Sequence, residues 1–306
     1  MSLAPIVLFA FNRPEHTRRC LESLRANPLA SASELFIHVD GPKPGAAPAL
    51  VEKNAAVKRV IREQPWCGRV HFIEPEVNRT MPVAMVDNVT QLVNRFGRII
   101  VLEDDLVLAP GFLQFMNEGL DLYADCPQVW GVEGYLYPIP PLATDTCFLG
   151  FTSTWGWATW ARAWAGFNPS AEGLLAQIPP AERRRFNLGN SYDYHGLLVK
   201  CTTGSWKYWD VRWYASVFAR QGLCLYPRQS MVRNIGHDNS GMHCLPDEDF
   251  QSQLILDAVR VTRQPIVEDR TARRRIIRYL WQKRGLDLIA RIKRRLTGRS
   301  VRPAGV

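Results

Sequence analysis

Three consecutive acids, Glu103, Asp104 and Asp105, follow the apolar run 99–102 without a break. Adjacent carboxylates at the end of a buried strand repel one another and lose hydration, and a divalent cation relieves both penalties. A nucleotide sugar would complete such a site, because its diphosphate needs the same counter-charge and leaves more readily beside a Lewis acid. Taken alone, the triplet is more often a solvated turn or a helix cap than a metal site. Its place at the end of a buried strand favours the site. Two further polar groups close the preceding apolar runs: Asn12-Arg13 after residues 5–11, and Asp40-Gly41 after residues 34–39. Arg13 can pair with phosphate, and Asp40 can accept a hydrogen bond from a base N–H. Each also has a plain reading, Arg13 as a surface residue at a helix start and Asp40 as a turn former before Gly-Pro.

The second half of the chain holds the remaining candidates. Asp210 lies in W-K-Y-W-D-V-R-W (206–213), where aromatic neighbours would raise its basicity toward that of a general base for an acceptor hydroxyl. Pairing with Arg212 on a helix surface explains it as well. His237, Asp238, Ser240, His243 and Cys244 crowd one glycine-containing loop that could close over a donor, and His243 could complete a metal shell. Trp155, Trp157 and Trp209 are candidates for stacking on the acceptor sugar. Core packing is expected for at least two of Trp155, Trp157 and Trp160.

These groups need a scaffold that brings distant strand ends together. Apolar runs at 5–11, 34–40, 70–73 and 99–102 alternate with segments of helical spacing. Asn12 is expected to cap the first helix, with Pro14 in its first turn. A second helix is expected over 49–62, and Met85, Val89, Leu92, Val93 and Phe96 fall on one face of a third. Strands spaced by helices predict an α/β fold with a central, mostly parallel mixed sheet covered on both faces. Ligands bind such sheets beyond the carboxyl ends of the strands, where Arg13, Asp40 and Glu103 to Asp105 would meet.

Composition narrows the class. The net charge is +9, but from Glu268 onward 13 Lys or Arg stand against 3 Asp or Glu, so the tail carries +10 and the body about −1. A near-neutral body removes the main support for nucleic-acid binding. The seven cysteines are scattered without a C-x-x-C pair, which fits free thiols in a reducing compartment. The run 3–11 reads as a buried strand and not as a signal peptide, and no stretch reaches the ~20 apolar residues of a membrane span. No G-x-G-x-x-G or P-loop pattern follows the first strand, which argues against dehydrogenases and P-loop enzymes.

The chain resembles the GT-A-fold (Rossmann-like) glycosyltransferases. The comparison extends to the Golgi N-acetylglucosaminyltransferase that begins complex N-glycans, and to bacterial relatives sharing W-G-W-A-T-W (155–160). The resemblance covers roughly residues 4 to 245. P-I-V-L-F-A-F-N-R-P (5–14) would bring Arg13 to the nucleotide, and H-V-D-G (38–41) would bring Asp40 to the base. V-L-E-D-D-L-V-L-A-P-G-F (101–112) looks like the family's metal motif, whose last acid binds manganese, here Asp105. W-D-V-R-W (209–213) resembles the segment bearing the catalytic base, which would be Asp210 and would imply inversion.

The combined expectation is a metal-dependent glycosyltransferase using a nucleotide diphosphate sugar, UDP-linked for preference, and a glycan or glycolipid acceptor in bacterial surface-glycan assembly. Asn12, Arg13, Asp40, Glu103 and Asp104 would hold the donor, Asp105 and His243 would hold Mn²⁺ or Mg²⁺, and Asp210 would activate the acceptor. The catalytic domain is expected over 1–260, with the nucleotide half at about 1–110 and the acceptor half at about 111–260. A basic amphipathic helical tail is expected over 261–306. Its stripe of Ile277, Leu280 and Trp281, followed by Leu288, Ile292 and Leu296, suits the anionic inner face of the cell membrane, where a cytoplasmic enzyme would meet lipid-linked acceptors. Packing of that helix on the domain, or a disordered tail with affinity for nucleic acid, is the alternative. Rival functions are a nucleotidyltransferase that makes nucleotide sugars, and a non-catalytic carbohydrate-binding protein on the same scaffold.

Overall fold

The computed structural model describes residues 2–204, 208–238 and 252–296, and of residues 285–296 only the backbone. The strands are β1 (Ile6–Ala10), β2 (Glu34–Val39), β3 (Arg69–Ile73), β4 (Arg98–Glu103), β5 (Leu106–Leu108), β6 (Val129–Glu133), β7 (Thr146–Leu149), β8 (Trp157–Trp160), β9 (Leu223–Pro227) and β10 (Val232–Asn234). The helices are α1 (Pro14–Arg25), α2 (Pro48–Val60), α3 (Met81–Phe96), α4 (Phe112–Leu122), α5 (Ala161–Trp164), α6 (Ala171–Ala176), α7 (Arg183–Phe186), α8 (Tyr194–Thr202), α9 (Trp209–Ala219) and α10 (Arg270–Leu296).

Eight strands form one mixed sheet in the order β3-β2-β1-β4-β8-β6-β9-β7, and β5 pairs with β10 in a separate ribbon. β3, β2, β1 and β4 run parallel. The α/β sheet flanked by helices is therefore the architecture expected from the sequence. All of β1 is buried, as a central parallel strand must be when helices cover both faces. Its alternate residues serve different cores. Ile6, Leu8 and Ala10 join the layer of α1, α2 and α4, while Val7 and Phe9 join that of α3, α8 and α9.

Register places the site. Ala10 pairs with Val39, and Phe9 with Glu103, so β1, β2 and β4 end at one level. The expected helix cap differs in detail. Helix α1 begins at Pro14, so the cap position falls on Arg13, and Asn12 lies one residue too early. The Arg13 carbonyl accepts the Thr17 hydroxyl at 2.9 Å, which leaves the guanidinium free to reach across the strand ends.

The basic tail departs from the expected membrane stripe. Ala272, Ile276 and Leu280 of α10 are buried against the α9 side of the core. Arg273 pairs with Glu268 at 2.8 Å and donates to the Arg185 carbonyl, while Arg284 donates to the Asn190 carbonyl. Leu280 therefore belongs to the protein core. Ile277 is half-buried near Gly189, and Trp281 is the exposed member of that stripe. Among the described residues, no helix is long and apolar enough to cross a membrane. Leu288, Ile292 and Leu296 lie where only the backbone is described.

Candidate active site

The turn after β4 presents Asp104 and Asp105, both nearly buried. Arg13 Nη2 donates to Asp104 Oδ1, and to Asp105 Oδ2 at 3.0 Å. One guanidinium thus neutralises two carboxylates from the neighbouring strand end. Burial alone would lower the Arg13 pKa, but the charges of Asp104 and Asp105 raise it overall. Burial lifts the Asp104 carboxyl to about 6, against the pull of Arg13. Glu103 is pushed well above the usual carboxylate range, first by burial and then by the charges of Asp105, Asp104 and Asp210.

Asp105 Oδ1 is buried and accepts no hydrogen bond. A hard cation seeks such an oxygen, so Asp105 fits a metal ligand on this observation. Among the described residues, no group of three or more His, Cys, Asp or Glu side chains is arranged to hold a metal. A cation would therefore draw its other oxygens from a diphosphate and water. His243, the second expected ligand, lies outside the described residues.

The loop after β10 lies across the acids. Ile235 N–H donates to the Asp105 carbonyl at 2.8 Å, and His16 Nε2 stands 3.1 Å from Asp238. A Cβ on Gly236 would come within 2.3 Å of Asp105 Oδ2 and 2.9 Å of Arg13 Nη1. A side chain at this position would have to displace the carboxylate or the guanidinium.

Asp40 is buried at the end of β2. Its Oδ1 accepts the Arg79 N–H at 2.8 Å and the Gly41 N–H at 3.1 Å, which ties the loop before α3 to the sheet. Asn54 of α2 donates to the carbonyls of Phe11 and Asp40, at 2.7 and 2.8 Å, and so staples the ends of β1 and β2. Asn12 is half-buried. The sequence reading missed Asn54, because an Asn inside a helix carries no signal of the strand ends it bridges.

Asp210 sits in the first turn of α9 and lines a cavity of about 210 Å³. Tyr135, Tyr137, Trp155, Tyr192, Tyr194 and Tyr214 form its aromatic walls, with His237 from the loop over the acids. The cavity and the acid cluster thus share one short loop. Asp210 keeps an exposed side chain; partial loss of water around its carboxyl raises its pKa, while first-turn N–H groups and Arg212 pull it down. Burial holds Tyr137 and Tyr194 as neutral phenols. The Tyr-x-Tyr spacings at 135–137 and 192–194 were the available signal for these walls.

Of the three tryptophans expected to stack on an acceptor, Trp155 lines the cavity, with its ring 4.5 Å from that of Tyr135. Trp157 and Trp209 are corrected to core residues. Both are buried and stack on each other at 5.6 Å, with Trp213 packed against Trp157. Trp160 is buried too, and donates to the Leu120 carbonyl.

No protein-family model and no curated protein matches the chain. Similar solved structures include mouse xyloside xylosyltransferase 1 in its apo form, at 12% identity and TM-score 0.38, over 71% of this chain and 82% of that one. Another is the galactosyltransferase LgtC in complex with donor and acceptor sugar analogues, at 13% identity and TM-score 0.36, over 72% of each chain. Likeness this distant carries no argument about activity, so function is read from the site itself.

Proposed function

We propose that the chain is a GT-A-type glycosyltransferase that moves a sugar from a nucleotide diphosphate, UDP for preference, to a hydroxyl of a glycan or glycolipid. The observation that carries this reading is Arg13 held against Asp104 and Asp105 at the parallel strand ends, one loop away from the Asp210 cavity. Arg13 would turn its guanidinium to the diphosphate, and Asp40 and Asn12 would hold the nucleoside. Asp105, helped by Asp104, would hold Mn²⁺ or Mg²⁺, and the ion would supply counter-charge for the departing diphosphate. Asp210 would take the proton of the attacking hydroxyl, and a single displacement of this kind inverts the anomeric centre.

The cavity supports an uncharged acceptor ring. Aromatic faces stack on sugars, and no Lys or Arg lines it among the described residues. An anionic acceptor beside Asp210 would lack a counter-charge there. Trp281 and the exposed Arg274, Arg278 and Arg284 support contact with an anionic membrane surface, as a peripheral protein on its cytoplasmic side. The domain division near residue 260 belongs to the same proposal.

Calorimetric titration with nucleoside diphosphates, with and without Mn²⁺, tests the reading. One diphosphate should bind the wild type in a metal-dependent way, and Asp105→Ala should lose the metal-dependent part. Full metal dependence in that variant would remove Asp105 as a ligand. Pyrophosphate release from a nucleoside triphosphate and a sugar phosphate would favour a nucleotidyltransferase instead.

A further inference from the structure

Glu133 ends β6 and has no exposed surface, yet it carries an acid into the protein interior. Its Oε2 accepts three hydrogen bonds from one short segment: Ser153 N–H at 3.3 Å, Ser153 Oγ at 3.0 Å and Thr154 N–H at 3.2 Å. Its Oε1 is buried, with the Cys224 thiol as its polar neighbour. The segment it holds is unusual. Thr154 has φ 56°, in the left-handed region that a β-branched residue disfavours, and Gly156 follows at φ 64°. Such backbone persists only where its surroundings over-determine it. Gly134, the next residue after Glu133, adds a bond from its N–H to the Gly156 carbonyl at 2.7 Å.

The turn has a consequence for the cavity. Thr152, Ser153, Thr154 and Trp155 form one of its walls, whereas Trp157, two residues on, is buried in the core. In an unbroken strand Trp155 and Trp157 would face the same way. The left-handed pair at Thr154 and Gly156 breaks that alternation and leaves Trp155 at the cavity.

We infer that Glu133 is a positioning residue: from beneath the wall, its carboxyl oxygen fixes the left-handed turn that aims Trp155 into the cavity. The inference deepens the reading of that cavity as the acceptor subsite and rests on it. Glu133 touches no ligand and acts through Ser153, Thr154 and Trp155. What the turn needs is an oxygen at the right reach, and a negative charge is not required. Burial lifts the Glu133 carboxyl to about 7, against the bonds from Ser153 and Thr154, so the site does not demand an ionised acid.

Two substitutions separate reach from charge. Glu133→Gln keeps an oxygen at the same reach and removes the acid. Glu133→Asp keeps the acid and withdraws it by one methylene. Amide hydrogen exchange should rise about ten-fold or more over residues 152–156 in the Asp variant, remain within about three-fold of wild type in the Gln variant, and stay unchanged in β1 for both. Methyl glucoside, methyl galactoside and methyl N-acetylglucosaminide serve as acceptor-side probes, read by the ligand-induced change in indole fluorescence that Trp155→Phe abolishes. Their affinity should fall about ten-fold in the Asp variant alone, with UDP affinity in Mn²⁺ unchanged. Equal loosening of β1, or glycoside affinity indifferent to a loosened wall, would overturn the positioning role. Exchange in the Asp variant within about two-fold of wild type would overturn the strut. Failure of the wild type to bind any nucleoside diphosphate would sink the transferase reading while leaving the exchange result intact.

Discussion

Replacing Arg13 with Met is the sharpest test of how the acid cluster is held together. Met keeps much of the side-chain volume and removes the only cation bonded to both Asp104 and Asp105 among the described residues. Loss of one partner from a buried ion pair costs about 3–5 kcal/mol, because the other charge is left uncompensated. Two features reduce that figure here. The Arg13 side chain is 17% exposed, so water screens part of the attraction. The Asp104 carboxyl already stands at about 6, raised from 3.8, so in the variant it can take up a proton and shed its charge. A loss of about 2–3 kcal/mol at pH 8 is therefore expected, or roughly 3–5 °C in Tm for a chain of this size. The pH dependence has a definite sign. A carboxyl whose folded-state pKa is raised loses stability as pH climbs from its unfolded value through its folded one. Removing Arg13 raises it further, so the deficit of the variant should shrink as pH falls from 8 to 5. Urea unfolding of both proteins at the two pH values measures it, and Mn²⁺ should stabilise the variant more than the wild type if Asp105 accepts a cation. A deficit below about 1 kcal/mol, or one that does not move with pH, would refute the buried cluster.

Asp210→Asn keeps the shape of the proposed base and cannot take a proton, so transfer at saturating donor should slow by about 10²–10⁴-fold with donor affinity unchanged. A slowing of only a few-fold would make Asp210 a helix-start acid. Glu133 gives a second pH test. Its carboxyl is raised from 4.5 to about 7, so its contribution should weaken by up to about 3 kcal/mol as pH rises from 4.5 toward 8, and Glu133→Gln should gain on the wild type over that window in paired unfolding curves. Deleting residues 285–306 should weaken sedimentation with anionic vesicles at low salt, an effect that high salt should mask. Deleting 270–306 should also remove the buried Ile276 and Leu280, at about 3–6 kcal/mol, so unchanged stability there would contradict the packing of α10.

The strand ends were legible in the sequence because the forces that set them are local. A continuous apolar run such as residues 5–11 marks a strand buried on both faces, and the polar group that stops it marks the sheet edge where ligands sit. Arg13, Asp40 and Asp105 could be named together on that ground, although Arg13 and Asp104 are 91 residues apart. The second half offered no such regularity. The cavity is assembled from segments near 135, 154, 193 and 211, and nothing in any one of them announces the others. W-G-W-A-T-W reads the same whether its rings meet sugar or core. The left-handed backbone at Thr154 sends Trp155 to the cavity and leaves Trp157 to the aromatic core. In the sequence Glu133 stood only as a fallback for the base should Asp210 prove structural, and burial with three donors around one oxygen gives it a different role. The basic helix likewise carries its arginines in the sequence, whereas its docking along residues 185–190 comes from contacts between distant segments. Short-range patterning determined where polar groups leave the sheet. Long-range packing decided which of them share a cavity, because the energy that orients a side chain comes from neighbours the chain meets only after folding.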